Sequence, residues 1–117
     1  MAARSDGYAA KSRTLLAQAS EELEQGELTQ ASEKLWGATA QMVKAVAQRR
    51  GWRHDSHRRL LEVVNRLASE TGDRNLITLF QVAGSLHFNF YETEFPREFI
   101  EVGAERVEEL IRKLEEL

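Results

Sequence analysis

Cysteine is absent from the 117 residues, which excludes a disulfide framework and any thiolate metal site. Proline occurs once, at Pro96, and β-branched residues are too thinly spread to build a sheet. No apolar run approaches the roughly 20 residues that span a bilayer. The opening Met-Ala-Ala-Arg-Ser-Asp-Gly-Tyr lacks the apolar core of a signal peptide. A cytoplasmic protein without membrane attachment is the expectation, and a chain free of cysteine suits a reducing compartment. Glycine-rich phosphate loops, a nucleophile elbow, metalloprotease motifs and nucleotide-binding fingerprints are missing too, so no cofactor is expected.

What remains is a chain rich in Ala, Leu, Glu, Gln, Lys and Arg, the residues that favour helix, at a length that fits one domain. Residues before Tyr8 read as a frayed start. From about Tyr8 to Gln25, Leu15, Leu16, Ala19 and Leu23 recur at helical spacing, and Gly26 is placed to end that helix. A second helix is predicted from about Thr29 to Arg50, with its apolar stripe on Leu28, Ala31, Leu35, Ala38, Met42, Val43, Val46 and Ala47. The short turn at Gly26 makes these two an antiparallel hairpin.

Gly51 ends the second helix. Asp55 or Ser56 can cap a third, which buries Leu60, Leu61, Val64, Leu67 and Ala68 and stops near Thr71 and Gly72. Asp73 caps a fourth, about Arg74 to Glu92, with Leu76, Leu79, Phe80, Ala83, Leu86, His87 and Phe90 on its apolar face. Phe95-Pro96 breaks the chain before a fifth helix, about Arg97 to Glu116, which turns Ile100, Val107, Leu110, Ile111 and Leu114 inward. The expectation is an all-α, up-and-down bundle of about five helices forming a single domain over residues 1–117.

Charge is unevenly spread. Residues 44–59 carry six basic side chains against Asp55, a net of +5 in a chain whose net charge is −3. Within this segment Arg49, Arg50, Trp52, Arg53, His57, Arg58 and Arg59 are the candidates for nucleic-acid contact, arginine meeting phosphate and the indole stacking on a base. The competing reading is a solvated helix junction whose arginines pair with glutamates of neighbouring helices. His54 and His57 have no acidic third ligand at clear spacing, so no metal site is expected. The acidic last helix reads as a solvated face with pairs such as Glu108 to Arg112 and Glu109 to Lys113.

The stretch Gln81–Glu92 holds one of three histidines, and three of the five phenylalanines lie between Phe80 and Phe90. It is either a candidate active site built on His87 or the central core helix. As a catalytic group His87 needs a partner for its ring, and Asn89 and Tyr91 are the local candidates. Gly84 and Ser85, small residues inside a helix, point to close approach of another helix, from the bundle or from a second subunit.

Ala-Ser-Glu-Lys-Leu-Trp-Gly-Ala at 31–38, Val-Lys-Ala-Val-Ala at 43–47 and Leu-His-Phe-Asn-Phe-Tyr-Glu at 86–92 together resemble the PaREP-type proteins of archaea and some bacteria. Those belong to, or closely resemble, the HEPN superfamily of helical bundles. The similarity runs from about Tyr8 to Leu114, and a histidine opening the third helix, here His57, echoes the same pattern. The resemblance implies a metal-independent ribonuclease motif on the fourth helix, an arginine followed four to six residues later by a histidine. His87 matches the histidine, whereas Gln81 stands where the arginine belongs. Gln81 can hydrogen-bond a phosphate but cannot neutralise its developing charge. The matches of Arg50 with His57 and of Arg49 with His54 straddle two helices.

The resemblance further implies a homodimer formed through this face, around Gly84, Ser85 and Phe88, and a nucleotidyltransferase or RNA partner. The reading that follows is a HEPN-like binding or adaptor module that is catalytically degenerate. Its alternatives are a ribonuclease of a toxin–antitoxin or defence system and a peptide-binding domain resembling a tetratricopeptide hairpin.

Overall fold

A computed structural model describes residues 2–92 and 94–117, with only the backbone described for residues 2–6. Five helices form a bundle: α1 Ala2–Glu24, α2 Leu28–Arg50, α3 His57–Thr71, α4 Asn75–Glu92 and α5 Arg97–Glu115. Among the described residues there is no strand. None of the helices is long and apolar enough to cross a membrane. The first helix starts at Ala2, ahead of the expected start at Tyr8.

Backbone geometry at two glycines explains where the helices stop. Gly26 has φ +78°, and the N–H groups of Gly26 and Glu27 donate back to Leu23 and Glu22 at 3.1 and 2.8 Å. Gly51 has φ +72°, and Gly51 and Trp52 donate to Gln48 and Ala47 at 3.2 and 2.9 Å. Both are left-handed caps that satisfy carbonyls a helix end would leave open. Ser56, rather than Asp55, caps α3 by accepting from the Arg59 N–H at 3.2 Å.

The central element is α2, not the α4 stretch that dominates the sequence. α2 packs against all four other helices. It buries Ser32, Trp36, Thr39, Ala40 and Ala45 in addition to the expected stripe from Ala31 onward. Its alanines let neighbours approach closely: the buried Ser12 hydroxyl of α1 donates to the Ala38 carbonyl at 2.6 Å. Antiparallel packing joins α1 to α2, where Lys34 meets Glu22 at 2.9 Å, and α4 to α5, where Asn75 meets Glu109 and Leu86 lies on Gly103. α5 runs back along α1, its Arg97 guanidinium donating to the Leu23 carbonyl at 2.7 Å and its Glu115 pairing with Arg13.

The step into α3 is different. Its first residue, His57, lies against Trp36 in the first half of α2, and its Glu70 binds Arg50 at the end of α2. The connection from Gly51 to Ser56 therefore runs back along α2 before α3 begins.

Three sequence expectations change in the packed structure. On α3 Leu61 is 47% exposed and Val63 is buried instead. On α4 the buried set ends with Asn89, while His87 and Phe90 are only partly covered. On α5 Lys113 binds Asp73 at 2.7 Å and Glu109 lies 3.5 Å from Arg106, in place of the expected Glu108–Arg112 and Glu109–Lys113 pairs. A partner held by another element competes with the i,i+4 neighbour, and exposed helical pairs are worth only about 0.3–0.5 kcal/mol.

Close approach of α4 and α5 rests on Gly103. A Cβ there would sit 2.8 Å from Leu86 Cδ2 and 3.0 Å from Cδ1. At Gly84, where the sequence suggested a tight crossing, a Cβ would meet no atom within 4 Å. Within the bundle, Gly103 is the residue that permits the crossing.

Candidate functional site

All three histidines line one cleft of about 330 Å³, together with Trp36, Ala40, Lys44, Asp55, Ser56 and Leu60. Trp36 is its floor, 8% exposed. The His57 ring lies 5.4 Å from the indole and the His87 ring stacks on it at 5.3 Å and 30°. The backward run of residues 51–56 along α2 carries His54 and His57 to this spot. His54 bonds Gln48 Oε1 at 2.9 Å and meets Tyr8 edge-on at 5.4 Å.

The ring of His87 is held by Glu33 of α2, whose two carboxylate oxygens lie 2.9 and 3.1 Å from Nδ1. A carboxylate can only accept, so Nδ1 donates and Nε2 is the nitrogen available to a ligand. Glu33 and Trp36 are three residues apart and share a helix face, which places both beside His87. Sequence reasoning missed this pair. The available signal was Trp36, a large aromatic just off the apolar stripe of α2.

The expected partners of His87 behave otherwise. Tyr91 touches the ring only edge-on, at 5.4 Å, and is 69% exposed. Asn89 is 2% exposed. Its Nδ2 donates to Ser32 at 3.3 Å and its Oδ1 accepts from the N–H groups of Glu94 and Phe95 at 3.1 and 2.7 Å. At about 100° per residue, two positions along a helix place Asn89 on the opposite side from His87. Gln81 lies apart as well, lining a groove with Leu61, Val64, Asn65, Ile77 and Phe80. The two motif positions, Gln81 and His87, are not brought together.

Around residues 49–59 most of the positive charge is answered. Arg50 binds Glu70 at 2.7 Å, Arg53 binds Asp55 at 3.2 Å, and Arg58 and Arg59 reach Glu62 at 3.5 and 2.8 Å. The hydrogen bond from Arg53 holds the Asp55 carboxyl below the usual carboxylate range, and that from Arg59 does the same for Glu62. Trp52 lies under two guanidinium groups, Arg50 at 5.2 Å and Arg66 at 4.1 Å. Arg49 is exposed and, among the described residues, has no ion-pair partner. The segment thus divides, with Arg50, Arg58 and Arg59 turned to α3 acids, Arg53 to Asp55 of its own connection, and His57 to Trp36. Among the described residues no group of three or more His, Asp or Glu side chains is arranged to hold a metal ion.

A second surface lies between α4 and α5. Val82, Leu86, Phe95, Phe99, Val102 and Gly103 line an apolar groove of about 530 Å³, with Ser85, Glu98 and Arg106 at its border. Phe99 and Val102 are 60% and 54% exposed, and Phe88 on α4 is 67% exposed. The Ser85 hydroxyl donates to the Val82 carbonyl at 2.6 Å, so its polarity is absorbed by its own helix.

Fold and site together define a small all-helical bundle protein with one polar histidine cleft and one separate apolar face. Residues 8–111 match the family model of the archaeal PaREP1/PaREP8 family, and the chain belongs to that family. No curated protein and no solved structure is similar enough to the chain to count as a match.

Proposed function

We propose that this chain is a HEPN-like binding or adaptor module that works as a homodimer in the cytoplasm and does not cleave RNA. The observation that carries the reading is the open apolar face of α4 and α5, with Phe88, Phe99 and Val102 each more than half exposed. Contiguous apolar surface of this kind is characteristic of an interaction site. A second copy is the occupant best suited to it. The border of the groove carries Arg106 and Glu98, charges of opposite sign that a self-complementary two-fold interface can pair between protomers. Gly84 and Ser85 add no bulk, so a partner helix could lie close to α4.

Catalytic silence is supported by Gln81, which supplies no cation and faces another groove, and by the pairing of the nearby arginines. A ribonuclease remains the second reading, because Glu33 presents His87 with Nε2 as a potential base. Two measurements separate the outcomes. Light scattering of the purified protein is expected to give a dimer, and Phe88→Glu with Phe99→Glu a folded monomer; a wild-type monomer at high concentration overturns the dimer. Labelled RNA is expected to stay intact, and cleavage that disappears in His87→Ala overturns the silent reading.

A further inference from the structure

We propose that the pocket where the connection after Gly51 faces α3 binds an acidic peptide segment, whose carboxylates are held by Arg53, Arg59 and Arg66. The first support is a surplus of positive charge. Arg50 and Arg66 share Glu70, Arg58 and Arg59 share Glu62, and Arg53 has Asp55, so five guanidinium groups face three carboxylates. In the pocket itself, of about 300 Å³, Arg53, Arg59 and Arg66 stand against Glu62 alone, a local charge of +2. That surplus sits in a chain whose net charge is −3. Arg66 is the least engaged of the five. Its Nε lies 3.7 Å from Glu70, beyond hydrogen-bond reach, and it makes no hydrogen bond among the described residues. All of its N–H donors are therefore open to a ligand.

The second support is how the pocket holds that charge. Trp52 lies under Arg66 at 4.1 Å and under Arg50 at 5.2 Å. A guanidinium stacked on an indole keeps its in-plane N–H groups free, and the stack orders them before a ligand arrives. Such a fork matches a carboxylate with two parallel hydrogen bonds. The buried Val63, the Gly51 backbone and the half-buried indole give the pocket an apolar side, which suits an apolar residue beside the acids. Two observations favour peptide over RNA. A base stacking on Trp52 would compete with the guanidinium groups already over the ring. The surplus charge is also gathered in one pocket, whereas a nucleic-acid groove tracks a phosphate backbone. The pocket shares no residue with the α4–α5 face, so the site stands whether or not that face holds a second copy.

Fluorescence anisotropy of a labelled peptide, Glu-Glu-Leu-Glu-Glu, measures affinity, and the indole N–H signals in ¹H–¹⁵N spectra locate the site. Trp52 reports on the pocket, and Trp36, which lies outside it, is the internal control. The comparison ligands are the same peptide with glutamine in place of each glutamate, free citrate, and a labelled oligouridylate. The expected result is saturable binding of the glutamate peptide that moves Trp52, weakens with added salt and is absent with the glutamine peptide. Arg59→Ala and Arg66→Ala should each weaken it about ten-fold, with the remaining spectrum unchanged. Arg66→Lys should fall between, because it keeps the charge but loses the planar fork. Glu62→Gln, which removes the competing carboxylate, should tighten binding. Arg112→Ala, at an exposed position of α5 outside the pocket, removes the same net charge as Arg66→Ala and should leave binding unchanged. An equal loss in Arg112→Ala, equal binding of the glutamine peptide, or movement confined to Trp36 overturns the proposal. So does tighter binding of the oligouridylate, which would make the pocket an RNA site, or of citrate, which would make it a site for small polycarboxylates.

Discussion

Glu33 and His87 lie 54 positions apart in the chain and meet side chain to side chain, both carboxylate oxygens within 3.1 Å of Nδ1. The contact ties α2 to α4 and fixes which ring nitrogen carries the proton in the neutral imidazole. The neutral ring is therefore expected as the Nδ1–H tautomer, read from its ¹⁵N shifts. In Glu33→Ala the population should move to Nε2–H. Both side chains are about one-third exposed, 35% and 33%, so the loss of stability should stay within about 1 kcal/mol. An unchanged tautomer would contradict this account of the pair.

Two glycines make opposite predictions from the same substitution. Gly103→Ala places a methyl group 2.8 Å from Leu86 Cδ2, and Leu86 is 1% exposed, with little room to move. Overpacking of this kind costs about 1–3 kcal/mol. Gly103→Ala combined with Leu86→Ala should cost less than the sum of the two single changes, a non-additivity expected of residues in contact. Gly84→Ala meets nothing and gains helix propensity, worth about 0.8–1 kcal/mol. Urea unfolding of Gly103→Ala, Leu86→Ala, their combination and Gly84→Ala at dilute protein measures all of these, and a stabilised Gly103→Ala would refute the packing argument.

These pairs also mark the boundary between what the sequence reveals and what it conceals. Helix ends were legible because they are local: Gly26, Gly51 and Gly72 all take positive φ at the expected stops. The apolar stripe of α5 was legible because that helix has one buried face, and Ile100, Val107, Leu110, Ile111 and Leu114 are all buried. α2 was read too narrowly. A helix surrounded by four neighbours buries several faces, including Ser32, Trp36 and Thr39, and no single stripe describes it. The cleft was hidden for a related reason. It depends on the connection after Gly51 running backward along α2, and no spacing rule encodes that path. His87 was found as a candidate, but its partner came from α2 instead of its own helix.

The turn between α3 and α4 is fastened to α5 by Asp73 and Lys113, 2.7 Å apart. The hydrogen bond from Lys113 chiefly lowers the Asp73 carboxyl, and the same bond raises the Lys113 ammonium. A lowered acid adds stability that is present above the ordinary aspartate range and lost as pH falls through the folded value. A raised lysine adds stability that is present below its ordinary value and lost as pH rises through the folded one. The contribution therefore spans the range between them. Asp73→Asn keeps an oxygen for the Asn75 N–H, which Asp73 Oδ1 accepts at 3.1 Å, but loses the ion pair. The stability gap between wild type and Asp73→Asn, from urea melts across pH, should be widest near neutrality and close at both extremes. A gap independent of pH would show that charge is not what the substitution removes.

Asn89 is the polar residue on which the end of α4 depends. Its side chain is 2% exposed and engages three groups: the Ser32 hydroxyl, which itself donates to the Leu86 carbonyl, and the N–H groups of Glu94 and Phe95. Those two amides lie at the α4–α5 junction, where the helix ladder no longer supplies acceptors. Replacing Asn89 with Leu would keep the volume but leave these part-buried donors without their carbonyl, at about 1 kcal/mol for each hydrogen bond lost. Asn89→Asp retains an acceptor for both amides yet buries a charge, so it should also destabilise, and less so in acid where the carboxyl is neutral. Ser32→Ala removes only the far end of the network and should cost less than Asn89→Leu. Hydrogen exchange gives the local readout. The amides of Glu94 and Phe95 should lose protection in Asn89→Leu and keep it in Ser32→Ala. Equal protection in both variants would mean that the junction is held by packing of Phe95 rather than by the Asn89 side chain.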